Sequence, residues 1–131
     1  MDQKKAILCV DDEPMILFVL KKQLKGFFGN EFVYESAQSA SEAMEVIAEL
    51  EKEGVEIVLV ISDWLMPGMK GDEFLAWVNQ NHPKMKTVMI SGQADPDAVE
   101  RLQSECNLQA FILKPWTSNE LIHTIKKCLE G

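Results

Sequence analysis

Residues 60–71 read VISDWLMPGMKG. They close an unbroken apolar run, Ile57-Val58-Leu59-Val60-Ile61, at a carboxylate, Asp63, and follow it at once with a turn built from Pro67, Gly68 and Gly71. An aliphatic run without polar alternation reads as a strand covered on both faces. Such a strand belongs in a parallel sheet sandwiched by helices, so this stretch decides the fold class. It also poses a chemical question: why an acid stands where a buried strand reaches the open, with the backbone broken directly after it.

Working outward, four more runs have strand character: Ala6–Val10, Phe32–Ser36, Thr87–Ser91 and Ala110–Leu113 join Glu56–Ser62. Helical patterns lie between and after them. Pro14 suits the first helical position of the first. Ser39-Ala40-Ser41-Glu42 is a capping-box pattern opening the second, with Ala43, Val46, Ile47 and Leu50 on its apolar face. The third spans about Asp72 to Asn81, turns Phe74, Leu75 and Val78 inward, and stops before Pro83. The fourth opens near Asp95-Pro96 and has a thin stripe, Val99, Leu102 and Cys106. The fifth opens with Thr117-Ser118-Asn119-Glu120 and aligns Leu121, Ile122, Ile125 and Leu129. Five βα units in succession predict an α/β fold with a parallel sheet and helices on both faces, as one domain over residues 1–131. The polar second run, Phe32-Val33-Tyr34-Glu35-Ser36, is expected at a sheet edge.

Composition excludes several classes. With 131 residues, 47% apolar and 26% charged, the chain is sized for one folded core. A net charge of −8 argues against direct nucleic-acid binding and against an anionic membrane surface. Cys9, Cys106 and Cys128 fit no disulfide framework or zinc spacing, which points to a reducing compartment, and Cys9 reads as core. His82 and His123 lack partners at ligand spacing and read as surface residues. The apolar run after Lys4 and Lys5 is cut short by Asp11-Asp12-Glu13, unlike a secretion signal, and a cytoplasmic location is expected.

In open parallel sheets, ligands gather at the carboxyl ends of the strands. There the first strand delivers Asp11 and Asp12 (VDDEP), the third Asp63, the fourth Ser91 (ISGQ) and the fifth Lys114 (LKPW). Two like charges ~4 Å apart repel by about 4 kcal/mol at an effective dielectric of 20, so three clustered acids need relief. Lys114 offsets one charge, and a hard divalent cation, Mg²⁺ or Mn²⁺, suits the remaining oxygens better than zinc. Acids at the first strand end also repel phosphate, which argues against a nucleotide or flavin cradle. Cation, amine, hydroxyl and one projecting carboxylate make a phosphoryl-transfer site, in which Asp63 attacks phosphorus. The turn then exposes Asp63 and opens backbone groups beside it, the Leu65 carbonyl among them. Each of these residues taken alone is commonly a cap or loop residue; their meeting at one sheet edge carries the reading.

In VDDEP, SDWLMPGMKG, ISGQ and LKPW, in order and over about Lys5 to Leu129, the sequence resembles the receiver domain of two-component response regulators. The resemblance implies a flavodoxin-like sheet of order 2-1-3-4-5, with Asp63 accepting a phosphoryl group from a histidine kinase or phosphotransfer protein. It implies Mg²⁺ held by Asp11, Asp12, Asp63 and the Leu65 carbonyl, Lys114 and Ser91 against the phosphoryl oxygens, and a cis Lys114–Pro115 bond. Ser91 and Phe111 fill the switch positions, and Leu65 and Gln93 lie where water access is tuned. The helix 4–strand 5–helix 5 surface would address an output domain, a downstream protein or a second copy in a phosphorylation-dependent homodimer. Such a module is a regulatory phosphoacceptor that assists its own phosphorylation and slow dephosphorylation rather than a metabolic enzyme.

Two departures and two alternatives accompany the resemblance. Phe111 lacks the hydroxyl of the common Tyr, and Trp64 and Trp116 flank the site as packing residues, with a partner contact as a second role for Trp116. A phosphohydrolase with an aspartyl-phosphate intermediate uses similar chemistry, but a second acid two residues on is replaced by Leu65. A pseudo-receiver that binds partners without phosphorylation is disfavoured by the intact set Asp11, Asp12, Asp63, Ser91 and Lys114.

Overall fold

The computed structural model describes residues 3–93 and 95–130. Along them run β1 (Lys5–Val10), α1 (Pro14–Phe28), β2 (Val33–Ala37), α2 (Ala40–Lys52), β3 (Glu56–Asp63), α3 (Gly71–Asn81), β4 (Lys86–Ser91), α4 (Pro96–Glu105), β5 (Ala110–Leu113) and α5 (Ser118–Glu130), with a single 3₁₀ turn at Gly29–Glu31. The strands form one sheet of order β2-β1-β3-β4-β5. Every neighbouring pair is parallel. Fold class and strand order are those expected from the sequence.

The physical reason lies in the two-residue period of a strand. In β1, Ala6, Leu8 and Val10 face one cluster, while Ile7 and Cys9 face the other. The first cluster is closed by Ala43, Ile47 and Leu50 of α2, Phe74, Leu75 and Val78 of α3, and Leu102 of α4. The second is closed by Leu17, Leu20 and Leu24 of α1 and by Leu121, Ile125 and Cys128 of α5. Both faces of the central strands are dry, so β3 needs no polar alternation. β2 forms one edge, with Val33 37% exposed, as its polarity foretold.

Local signals set the helix ends. Ser39 Oγ accepts from the Glu42 amide at 3.1 Å and caps α2, while Glu42 Oε2 accepts from the Gln38 amide, one residue outside the usual box. Thr117 Oγ1 accepts from the Glu120 amide at 3.1 Å and caps α5, and Asp95 caps α4. The apolar stripes differ from the sequence reading in detail. Ala98, rather than Val99, is buried beside Leu102 in α4, and Cys128 is buried while Ile122 and Leu129 are half-buried. Val46 is likewise half-buried. Ala98 and Cys128 share these inward faces with the larger Leu102, Leu121 and Ile125, so position on the helix, not side-chain size, selects them. His82 is also not a plain surface residue: it is half-buried, its ring 5.3 Å from Trp77 and its Nδ1 3.7 Å from Glu51.

Candidate functional site: an acidic pocket at the strand ends

Parallel registry brings the strand ends level. Val10 pairs with Ser62, Asp63 with Ile90, and Ser91 with Leu113, so the residues that follow emerge on one edge. Asp11, Asp12 and Asp63 meet there, each with a carboxylate oxygen within 4.8 Å of the others. Lys114 reaches across from the end of β5, its Nζ 3.2 Å from Asp11 Oδ2 and 3.2 Å from Asp63 Oδ1. Asp11 and Asp63 are buried at 1% and 6% exposure, whereas Asp12 is exposed. The turn after β3 therefore does not expose Asp63 as the sequence suggested, because the closely packed strand ends keep its carboxylate covered, and Asp12 is the solvent-facing acid of the three.

Backbone donors orient the buried pair. The Glu13 amide donates to Asp11 Oδ1 at 2.9 Å, and the Trp64 amide donates to Asp63 Oδ1 at 3.0 Å. Burial raises the Asp63 pKa, Asp11 raises it further, and Lys114 with the Trp64 amide pulls the other way. Burial likewise raises Asp11, against the Glu13 amide and Lys114. For Lys114, burial opposes the charge, but the two carboxylates outweigh it and hold the amine above its ordinary value. The amine therefore stays protonated while the acids carry unrelieved repulsion.

Ser91 is buried at the end of β4, where its Oγ accepts from the Gln93 amide at 3.1 Å. The hydroxyl proton is left to donate. The Lys114 amide donates to the Ser91 carbonyl at 2.8 Å, joining the two loops, and the Lys114–Pro115 bond is cis. Phe111, in register with Met89, packs half-buried against the cluster on the α4 side. The Leu65 and Gln93 side chains are exposed at the rim. Trp64 packs half-buried on the α2–α4 side and Trp116 on the α1–α5 side.

Three groups on or beside the segments that form the site escaped the sequence reading. Ser62 Oγ donates to the Asp63 carbonyl at 3.0 Å. Gly71, read only as a turn residue, packs its Cα against the same carbonyl; a Cβ there would lie 2.0 Å from the Asp63 oxygen. Its place in the quoted turn was the available signal. Gln23, far along α1, accepts from the Trp116 indole at 2.8 Å, and nothing in the sequence marked it.

The donor set is all oxygen, and three carboxylates against one amine leave two formal negative charges. That chemistry suits a hard divalent cation. The sequence profile of the response regulator receiver domain matches residues 7–126. The chain belongs to that family. This receiver domain is 33% identical over 130 residues to the hydrogenase transcriptional regulatory protein HoxA of Cupriavidus necator, covering 99% of this chain and 25% of that protein. It is 32% identical over 126 residues to the sensor kinase CckA of Brucella abortus, covering 95% of this chain and 12% of that one. The chain thus spans a quarter or less of these curated relatives. Among solved structures, the signal receiver domain of an HD domain-containing protein from Pseudomonas fluorescens superposes with a TM-score of 0.84 at 26% identity, covering 98% of this chain and 96% of that one. A CheY-like receiver from Methanospirillum hungatei gives 0.81 at 30% identity, covering 98% and 95%. Among the described residues, no helix is long and apolar enough to cross a membrane.

Proposed function

We propose that this receiver, a single domain over residues 1–131, accepts a phosphoryl group on Asp63 from a histidine kinase or histidine phosphotransfer protein in the cytoplasm. The observation that carries the reading is the Lys114 amine bridging Asp11 and Asp63 at 3.2 Å to each, beside Asp12. An Asp63 oxygen attacks phosphorus, the P–N bond to the donor histidine breaks, and the electron pair leaves with the imidazole nitrogen. Lys114 meets the charge on the transferring oxygens.

Asp11, Asp12, Asp63 and the Leu65 carbonyl would hold Mg²⁺, or Mn²⁺ in its place. Once bound, the ion supplies charge neutralisation for the phosphoryl oxygens. The fit rests on the excess of two negative charges, not on any one residue. The acyl phosphate is then lost slowly to water, with Leu65 and Gln93 at the rim controlling its approach.

Phosphorylation adds about −1.5 to −2 charge beside Ser91. The Ser91 hydroxyl proton, not engaged by the Gln93 contact, turns to the phosphoryl oxygens. Phe111 is half-buried and follows into the space Ser91 leaves, which changes the α4–β5–α5 surface. Inverting such an equilibrium from 1:99 to 99:1 takes roughly 5.5 kcal/mol of differential stabilisation. A dianion against Lys114 and a divalent cation is of the right order. That surface addresses an output domain, a downstream protein, or a second copy.

Acetyl phosphate with Mg²⁺, read on a phosphate-affinity gel, tests the assignment. A retarded band is expected in wild type and absent in Asp63→Asn; a band that persists in the variant rejects Asp63 as acceptor.

A further inference from the structure

We infer that Gln23 is a positioning residue for Lys114, acting through Trp116. The inference rests on the phosphoacceptor reading of Asp63 and adds a residue to it.

Lys114 stands in a four-residue connection, 114–117, between β5 and α5. The strand end of that connection is held by the Lys114 amide on the Ser91 carbonyl at 2.8 Å. The helix end is held by Thr117, whose carbonyl accepts from the Leu121 amide at 3.0 Å. Neither tie runs toward the segment that carries Asp11. Trp116 supplies one: its indole Nε1–H donates to Gln23 Oε1 at 2.8 Å, across 93 residues of chain.

Gln23 lies on α1, the helix that starts at Pro14, directly after the Asp11 loop. The same two segments are therefore joined twice, by Lys114 to Asp11 at the pocket and by Trp116 to Gln23 behind it. The rear tie is built on packed groups: Trp116 sits half-buried against the cluster that includes Leu20, Leu24, Leu121 and Ile125. Gln23 is half-buried between Leu20 and Leu24 in sequence, where its amide trades water for the indole. Lys114 has a flexible four-carbon stem, so its amine stays between two carboxylates only while its backbone is fixed on both sides. Holding that amine in place before phosphorus arrives is preorganisation of the electrostatic kind.

The test pairs variants with phosphorylation of Asp63 by acetyl phosphate in saturating Mg²⁺, read on phosphate-affinity gels. Gln23→Leu removes the acceptor, and Trp116→Phe removes the donor but keeps an aromatic ring. A neutral hydrogen bond bounds each loss of rate at about tenfold. The double variant is expected to be no slower than the slower single variant, since one bond is being broken. Gln23→Glu, which keeps an acceptor oxygen, should recover the rate. The decisive arm repeats Gln23→Leu in a Lys114→Ala background, measuring affinity for beryllium trifluoride by calorimetry, which stays readable when rates are small. A residue acting through Lys114 changes nothing further there.

Gln23→Leu at the wild-type rate, a double variant whose losses multiply, or an equal loss of affinity with and without Lys114 would each overturn the inference. A wild-type protein that takes no phosphoryl group at all points elsewhere, to failure of the phosphoacceptor reading, and takes this inference with it.

Discussion

Replacing Asp63 with Asn should make the protein more stable when divalent cations are chelated. The carboxylate is 6% exposed, and removal from water is the largest cause of its raised pKa. At an effective dielectric of 20, repulsion from Asp11 at the 4.8 Å limit costs about 3.5 kcal/mol, while attraction to Lys114 at 3.2 Å returns about 5 kcal/mol. Exposed Asp12 adds a smaller, screened repulsion. The charge terms leave at most about 1.5 kcal/mol of net attraction. Burial, the largest cause of the raised pKa, outweighs it and decides the sign, and the gain expected for Asp63→Asn is about 1–3 kcal/mol near pH 7. For a chain of this size that is a rise of roughly 3–12 °C in melting temperature. The pH dependence follows from linkage. Because the folded pKa lies above its ordinary 3.8, the stability contributed by this group is complete below that value and is lost as pH rises through the folded pKa. Variant and wild type should therefore melt together at low pH and diverge as pH rises. Adding Mg²⁺ should raise the wild-type midpoint far more than that of the variant. Differential scanning calorimetry in chelator and in Mg²⁺, from pH 4 to 8, makes the measurement. Equal midpoints at pH 7 in chelator, or a gap that does not change with pH, would refute the reasoning.

Four further outcomes are expected. Gly71→Ala forces a Cβ to 2.0 Å from the Asp63 carbonyl and 2.8 Å from Trp64 Cα, so urea titration should show a loss of roughly 2 kcal/mol or more. Gly92→Ala, whose Cβ meets nothing within 4 Å, should change stability by less than about 0.5 kcal/mol. Cys9 is buried and its thiol is pushed up to about 12, so iodoacetamide at pH 8 should label Cys106 in the native protein and reach Cys9 only after unfolding, as peptide mass spectrometry would reveal. Ser39→Ala removes the cap of α2 and should lower stability by about 1 kcal/mol, measured by thermal melting.

Much of the fold was legible because burial on both faces writes itself into composition. The run Ile57–Ile61 has no polar member, and β3 is the central strand. The polar second strand was readable as an edge for the same reason, and the caps Ser39, Asp95 and Thr117 were readable because a cap is a local bond. Periodicity failed where spacing between elements decides. Ala98 and Cys128 are buried because the packed faces of α4 and α5 are turned to include them beside Leu102, Leu121 and Ile125, and no helical period ranks Ala98 above Val99. His82 looked like a surface residue because the sequence does not reveal that Trp77 and Glu51 stand beside it.

The candidate site divides in the same way. Asp11, Asp12, Asp63, Ser91 and Lys114 were nameable in advance, because a parallel sheet sends each strand's last residue to one edge and the chain states where each strand stops. Registry between strands brings the Lys114 amine to 3.2 Å from two acids that lie 103 and 51 residues away, a relation that exists only when the sheet has formed. Gly71 under the Asp63 carbonyl and Gln23 behind Trp116 belong to that second kind. The sequence by itself determined what kinds of groups reach the sheet edge, since strand length and polarity are local. Only the tertiary structure decided which of them touch, because contact distance depends on how separate segments pack.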